Sequence, residues 1–252
     1  MISEEKQEIF YDYSQYPALL CKVFHENGLS SFATDEICSK LSRFCEYLLD
    51  QNKLFNLTAI KTPESAAILH FADSLSLSAY LPEGSKVLDI GSGAGFPAIP
   101  LAIARPDLKI TALDSTQKRI NFIQNVANML GLTNLTTICA SAEDVTGSKF
   151  KESFDIVTAR AVAAYPMLFE LSIPAVKVGG KFIAMKSRDV SRETIGIERV
   201  LKQMTVSKPI FDDISLSGDE KFKRSIVTVT KLGKTPDKYP RPFTQIKKKP
   251  LF

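Results

Sequence analysis

The run Lys86-Val87-Leu88-Asp89-Ile90-Gly91-Ser92-Gly93-Ala94-Gly95-Phe96-Pro97 constrains the fold more than any other stretch of the chain. Its apolar first half reads as a strand, and the closely spaced glycines require a tight turn into a helix. Glycine there lets backbone approach a ligand, and a helix start aims N–H groups at it. A dinucleotide-binding turn wants G-x-G-x-x-G, with a helix N-terminus receiving a pyrophosphate. Here the glycines fall at Gly91, Gly93 and Gly95, and Phe96 takes the sixth position. Its bulk stands where a pyrophosphate needs room, so the spacing favours a nucleoside, with a purely structural turn as the alternative. Pro97 suits a first helical position.

A second strand, Lys109-Ile110-Thr111-Ala112-Leu113, ends at Asp114, roughly 20 residues past the glycines, where such folds place a carboxylate for ribose hydroxyls. Asp114 could instead cap the next helix, since Ser115-Thr116-Gln117 offers further caps. Ahead of the glycine turn the chain reads as helical. Thr34 caps a helix with Ile37, Leu41, Phe44, Cys45, Leu48 and Leu49 on one face, and Thr62-Pro63 opens another that buries Ile68, Phe71, Ala72 and Leu75. Behind it, strands and helices alternate. A helix containing Ile120 to Leu130 closes at Gly131, strands are expected at Leu135 to Cys139, Phe154 to Thr158 and Gly180 to Met185, and a helix lies around Pro166 to Val176. Segments near Thr205 to Ile214 and Ile226 to Lys231 form an antiparallel hairpin at one edge. The pattern predicts an open α/β sheet binding ligands at the carboxyl ends of its strands. The division is a helical region over 1–81, a sheet domain over 82–232 and a basic tail over 233–252.

At 252 residues and 44% hydrophobic content, the chain can bury the core of one such domain plus a small accessory region. No stretch approaches the roughly 18 apolar residues of a membrane span. Met1-Ile2-Ser3-Glu4-Glu5-Lys6 lacks a signal-peptide pattern, so a cytoplasmic protein is expected. Cys21, Cys38, Cys45 and Cys139 form no C-x-x-C pair and only His25 and His70 accompany them, so no metal site is expected and the cysteines read as buried apolar residues. Charge is uneven. From Lys231 onward, Lys231, Lys234, Lys238, Arg241, Lys247, Lys248 and Lys249 face Asp237 alone. Such a tail can attract phosphates without ordering itself, or serve only as a solubilising terminus.

The remaining strand ends carry candidate site residues. Ala140-Ser141-Ala142-Glu143-Asp144 could read an adenine edge through backbone groups and a carboxylate, or simply cap a helix. Arg160, in Thr158-Ala159-Arg160-Ala161, offers forked donors for a carboxylate, a phosphate or a guanine edge, or forms a structural ion pair. Met185-Lys186-Ser187-Arg188 is a cationic exit that could meet RNA phosphate or stay solvated. His70 shares a helix edge with Asp73 and Ser74, a pair that can do acid–base chemistry but more often orients a helix.

Taken together, Asn56-Leu57-Thr58-Ala59-Ile60, His70-Phe71-Ala72-Asp73-Ser74-Leu75, Asp89 to Pro97, Leu113-Asp114-Ser115, Lys118-Arg119, Ala142-Glu143, Thr158 to Ala161 and Lys186 closely resemble the small-subunit ribosomal RNA methyltransferase G family, also called glucose-inhibited division protein B. The resemblance implies a class I, Rossmann-like methyltransferase fold with a mostly parallel seven-stranded sheet and an antiparallel edge hairpin. It implies S-adenosylmethionine as donor, 16S ribosomal RNA or the small subunit as partner, and methylation of guanine N7 in the decoding-region loop. Its cofactor contacts fall on Gly91, Phe96, Ala142, Glu143 and Arg160, beside Gly93 of the turn and Asp114 on the ribose. No catalytic base is implied, because N7 carries a lone pair and no proton, and a monomer is expected. Two departures stand out: Ser141 replaces an expected arginine, whose contact Lys118 or Arg119 could supply, and the tail alters the usual Lys-x-Gly-x-Pro part. Methylation of another RNA or a small molecule, and a non-enzymatic ribosome-assembly role, are the rival readings. A dehydrogenase ranks below both, since Phe96 replaces its third glycine.

Overall fold

The computed structural model describes residues 11–160, 163–187, 190–217 and 223–252. The opening segment 1–6, Ala161 and Arg188 lie outside them.

Two capped helices and one uncapped helix build the front. α1 (Tyr16–Glu26) carries no side-chain cap. α2 (Asp35–Phe55) begins where Thr34 Oγ1 accepts from the Ile37 amide at 3.3 Å, and it ends at Asn56 in the left-handed region. Thr62 Oγ1 accepts from the Ser65 amide at 3.2 Å and starts α3 (Pro63–Ala66), which widens into a π-helical turn over Ala67–Ala72 and resumes as α4 (Asp73–Leu75). The expected face of α2 is buried at Leu41, Phe44, Cys45, Leu48 and Leu49, while Ile37 is half-buried. Phe44 reaches Phe71, Phe96 and Phe122, with ring centroids at 5.8, 5.2 and 6.3 Å. One continuous core therefore runs from the front helices to the glycine turn and the sheet. A buried phenylalanine in such a core contributes about 1.5–3 kcal/mol through transfer alone.

The sheet has seven strands: β1 (Lys86–Ile90), β2 (Lys109–Asp114), β3 (Leu135–Cys139), β4 (Phe154–Arg160), β5 (Val176–Ser187), β6 (Ile210–Ser215) and β7 (Lys223–Thr230). Their order is β3-β2-β1-β4-β5-β7-β6. The first five run parallel, with Leu88 opposite Thr111 on one side and Val157 on the other, and β7 pairs antiparallel with both β5 and β6. The chain winds outward from β1 to β3 and then returns to lay β4 on the other flank of β1. That reversal leaves a crevice beyond the carboxyl ends of β1 and β4, where open α/β sheets bind ligands.

Helices cover both faces: α5 (Ala98–Ala104), α6 (Gln117–Leu130), α7 (Ala142–Thr146), α8 (Tyr165–Ser172), α9 (Val190–Glu193) and α10 (Glu198–Met204). Gly131 closes α6 in the left-handed conformation. Several boundaries differ from expectation. Pro97 precedes α5 as its N-cap. α8 ends at Ser172, and Val176 opens β5, because the strand continues through Gly179 and Gly180. A Cβ at Gly180 would come within 2.5 Å of the Asp155 carbonyl, so this glycine marks a close approach of β5 to β4. Thr205 belongs to the left-handed end of α10, and β6 starts only at Ile210. Of the cysteines, Cys38 and Cys45 are buried but Cys139, at the end of β3, is exposed. Among the described residues no helix is long and apolar enough to cross a membrane.

The basic tail is laid down on the domain, against the expectation of an unordered terminus. Its helix α11 (Phe243–Lys248) buries Ile246, and Arg241 meets the fully buried Glu170 of α8. Lys231 is itself buried, paired with Glu152 at 3.3 Å and donating to the Ile173 carbonyl, so it adds no surface charge.

Candidate functional site

The glycine turn is held by its own amides. Gly91 and Ser92 donate to the Leu113 carbonyl at 2.7 and 3.0 Å, and Gly95 and Phe96 donate to the Ser92 carbonyl at 2.8 and 3.0 Å. Gly93 donates to Asp114 Oδ2 at 3.0 Å. These N–H groups are spent inside the protein and are not aimed at a ligand as a phosphate cradle would need. What the glycines supply is space. A Cβ at Gly93 would meet nothing closer than the Gly91 carbonyl at 3.9 Å, whereas at Gly95 it would meet Ile99 Cδ1 at 2.3 Å. Gly93 thus faces open volume, and Gly95 lets α5 pack.

That volume is a cavity of about 730 Å³ at the carboxyl ends of β1 to β4, within the range of small-molecule and cofactor sites. Gly91, Gly93, Phe96, Asp114, Ala142, Glu143 and Arg160 all line it. Asp114 is buried and accepts from the Thr116 amide at 2.9 Å as well as from Gly93, so it braces both the turn and the start of α6, where Thr116 is the N-cap. Oδ1, which accepts from Thr116 alone, still has a lone pair for a further donor. Arg119 Nη1 lies 3.4 Å from Asp114 Oδ2 and also lines the cavity, while Lys118 sits 3.8 Å over the Phe55 ring. Arg119 therefore brings a cation to the cavity that Ser141 also lines.

The opposite wall comes from the front helices. Arg160 Nη1 donates to Asp73 Oδ2 at 2.9 Å and to the Leu69 carbonyl at 3.1 Å, and Nη2 lies 3.3 Å from His70 Nδ1. Its guanidinium carbon stands 5.0 Å from the centre of the Phe96 ring, on which His70 stacks at 4.0 Å and 11°. Arg160 forms the structural ion pair and lines the cavity at the same time. Asp73, 1% exposed, also accepts from Arg224 Nε at 3.1 Å, so one carboxylate clamps two arginines.

His70 has a defined state. Its Nδ1 faces a guanidinium, so it accepts there, and Nε2–H then donates to Thr58 Oγ1 at 2.8 Å. Burial and the neighbouring Arg160 charge push its pKa down to about 3. A ring neutral through the physiological range cannot hold a proton for acid–base work, so His70 serves to orient the wall. The π-helical turn through His70 lets it and Asp73 both reach Arg160.

Two further residues take their roles from the fold. Asp89, under the turn, accepts from Thr158 Oγ1 at 3.0 Å, while its second oxygen is buried without a partner among the described residues. Burial pushes its pKa up to about 7. Arg224 enters the cavity wall from β7. The sequence signal for Asp89 is its place before the glycines; Arg224 has none. Lys186, in contrast, is 9% exposed and bound to Glu193 at 2.7 Å and to the Ala163 carbonyl, so it offers nothing to an RNA phosphate.

Residues 37–215 match the family model described as rRNA small subunit methyltransferase G. A curated protein of that name from Thermoanaerobacter sp. is 40% identical over 212 residues, covering 83% of this chain and 88% of the relative. One from Streptococcus agalactiae is 39% identical over 240 residues, covering 93% and 99%. Among solved structures, a SAM-dependent methyltransferase from Aquifex aeolicus superposes with a TM-score of 0.50 at 17% identity, over 72% of this chain and 97% of that one. That likeness extends to the fold alone.

Proposed function

The chain belongs to the rRNA small subunit methyltransferase G family, and from that premise we propose that it transfers a methyl group from S-adenosylmethionine to N7 of a guanine in the decoding-region loop of 16S ribosomal RNA. The observation that carries the reading is the glycine turn, which spends its amides on Leu113, Ser92 and Asp114 and opens space at Gly93. Such a turn suits a nucleoside without phosphates.

Gly91, Gly93 and Phe96 would lie beneath the donor, Asp114 would accept from the ribose hydroxyls, and Ala142 with Glu143 would meet the adenine edge. When bound, S-adenosylmethionine supplies an electrophilic methyl group on a sulfonium. Guanine N7 presents a lone pair and no proton, so the protein need not remove one, in keeping with a His70 that stays neutral and internally bonded. The chain's task is alignment and exclusion of water. Positioning of this kind accounts for about 7–11 kcal/mol of barrier in favourable cases. Arg160, held from three directions, fixes the face of Phe96 and the entrance for the base. RNA phosphates would meet the exposed Lys247, Lys248 and Lys249. The protein would act in the cytoplasm as a monomer.

A tritiated-methyl assay with small ribosomal subunits and with free nucleosides tests the proposal. Label entering the RNA of the subunits is the expected result, and label entering only the nucleosides contradicts it.

A further inference from the structure

The end of the chain crosses the domain as a strap fastened on both sides of α11. Before the helix, the Thr235 amide donates to Glu152, and Pro240 lies so close to Gly147, the C-cap of α7, that a Cβ there would come within 2.6 Å of it. Arg241 then forks onto Glu170, with Nε at 2.8 Å, Nη2 at 2.6 Å and the backbone amide at 2.9 Å. After the helix, Nη2 of the same arginine holds the Lys249 carbonyl at 2.9 Å, and Phe252 packs on Phe169 with ring centroids 5.5 Å apart. Between these fastenings stands Phe243, the first residue of α11, 39% exposed and part of the cavity wall.

The neighbours of the strap place Phe243 within the cavity. Pro240 touches the end of α7, whose first turn carries Ala142 and Glu143, and Arg241 holds Glu170, next to the cavity-lining Leu171. Thr58, His70 and Arg224 enter from the front region and from β7, on the other side of the β1–β4 crevice. Phe243 therefore belongs to the Ala142–Glu143 end.

We propose that Phe243, preset by the Arg241–Glu170 clamp, forms an aromatic wall against the adenine ring of the bound nucleoside. This rests on the donor reading above and adds a recognition residue to it. Phe243 falls in the part of the tail that departs from the family pattern, which makes the contact a property of this chain. An aromatic wall favours a purine over water because it offers a flat apolar surface of matching size, and a clamped one loses little freedom when the ligand arrives.

Calorimetry on the full-length protein with S-adenosylhomocysteine and, separately, with adenosine is the test, run on the wild type, Phe243→Ala, Phe243→Leu and Phe243→Tyr. Phe243→Ala is expected to weaken both ligands by a common factor of about five to ten, the low end for base–aromatic stacking because the ring is partly exposed. Phe243→Tyr should restore both, and Phe243→Leu should fall between. In turnover, KM for the donor should rise while KM for small subunits does not. Unchanged affinity for both ligands in Phe243→Ala overturns the proposal. So does a rise confined to the KM for subunits, which would give the ring to an RNA base. A wild type that binds neither ligand overturns the donor reading itself, and this proposal with it; loss in the variants alone leaves the donor reading intact.

Discussion

The two walls of the cavity are built in opposite ways. On the β2–β3 side, Gly91, Gly93, Asp114, Ala142 and Glu143 stand at strand ends and turns, and backbone geometry sets their places. On the other side, Arg160 is held by Leu69, Asp73 and His70, residues 87 to 91 positions earlier in the chain. The first wall is local and gains its shape from turns. The second exists only once the front helices have docked, so it couples folding of the front to the site. Substitutions on the second wall should therefore cost stability and turnover together, whereas the first wall should let the two be separated.

The largest effect is expected at Arg160. Arg160→Ala should lower turnover at saturating donor by at least about a hundredfold, as loss of a preorganised donor group does. It should also cost about 3 kcal/mol in urea unfolding, because the buried Asp73 loses one of its two arginine partners. Near-normal turnover would remove Arg160 from the site and make the second wall purely structural.

The two glycines sharpen the comparison within one turn. Gly95→Ala should cost about 3 kcal/mol, since its Cβ would overlap Ile99 at 2.3 Å and its φ is +90°. Gly93→Ala should cost only about 1 kcal/mol for its positive φ, yet weaken donor binding, since its Cβ would point into open volume. Equal losses of stability in the two variants would mean that Gly93 does not face the ligand.

His70 gives the second wall a pH signature. The unfolded chain's histidine takes up a proton as pH falls below about 6.5, while the native ring resists until about 3. Stability therefore falls with pH across that window by about 1.4 kcal/mol per unit from this group alone. His70→Gln should show a shallower loss in urea melts between pH 6 and pH 4. Parallel curves would indicate that the ring is protonated in the native state.

The same division explains what could be read without coordinates. Thr34, Thr62 and Gly131 announced their helix ends, and the glycine turn with Asp114 announced the first wall, because caps and turns are fixed within a few residues. Arg160 was recognisable as an unusual strand end, but its partners were not, since nothing local ties it to Asp73. Lys186 and Lys231 looked like surface cations and are buried on Glu193 and Glu152. Their sequence neighbours say nothing of a carboxylate brought in by another element. The strand expected from Gly180 starts earlier, at Val176, and runs through Gly179, because pairing with β4 and β7 decides a strand's length. The tail lacks hydrophobic periodicity and is ordered by contacts with distant residues, among them the buried charge of Glu170 and the ring of Phe169.

Together the two walls would bring a methyl donor to guanine N7 in small-subunit RNA. Mapping N7-methylguanine along 16S ribosomal RNA from cells with and without this protein tests it most directly. One such guanine in the decoding-region loop should disappear with the protein and return with the wild type but not with Arg160→Ala. An identical N7-methylguanine map in the two cells would contradict it.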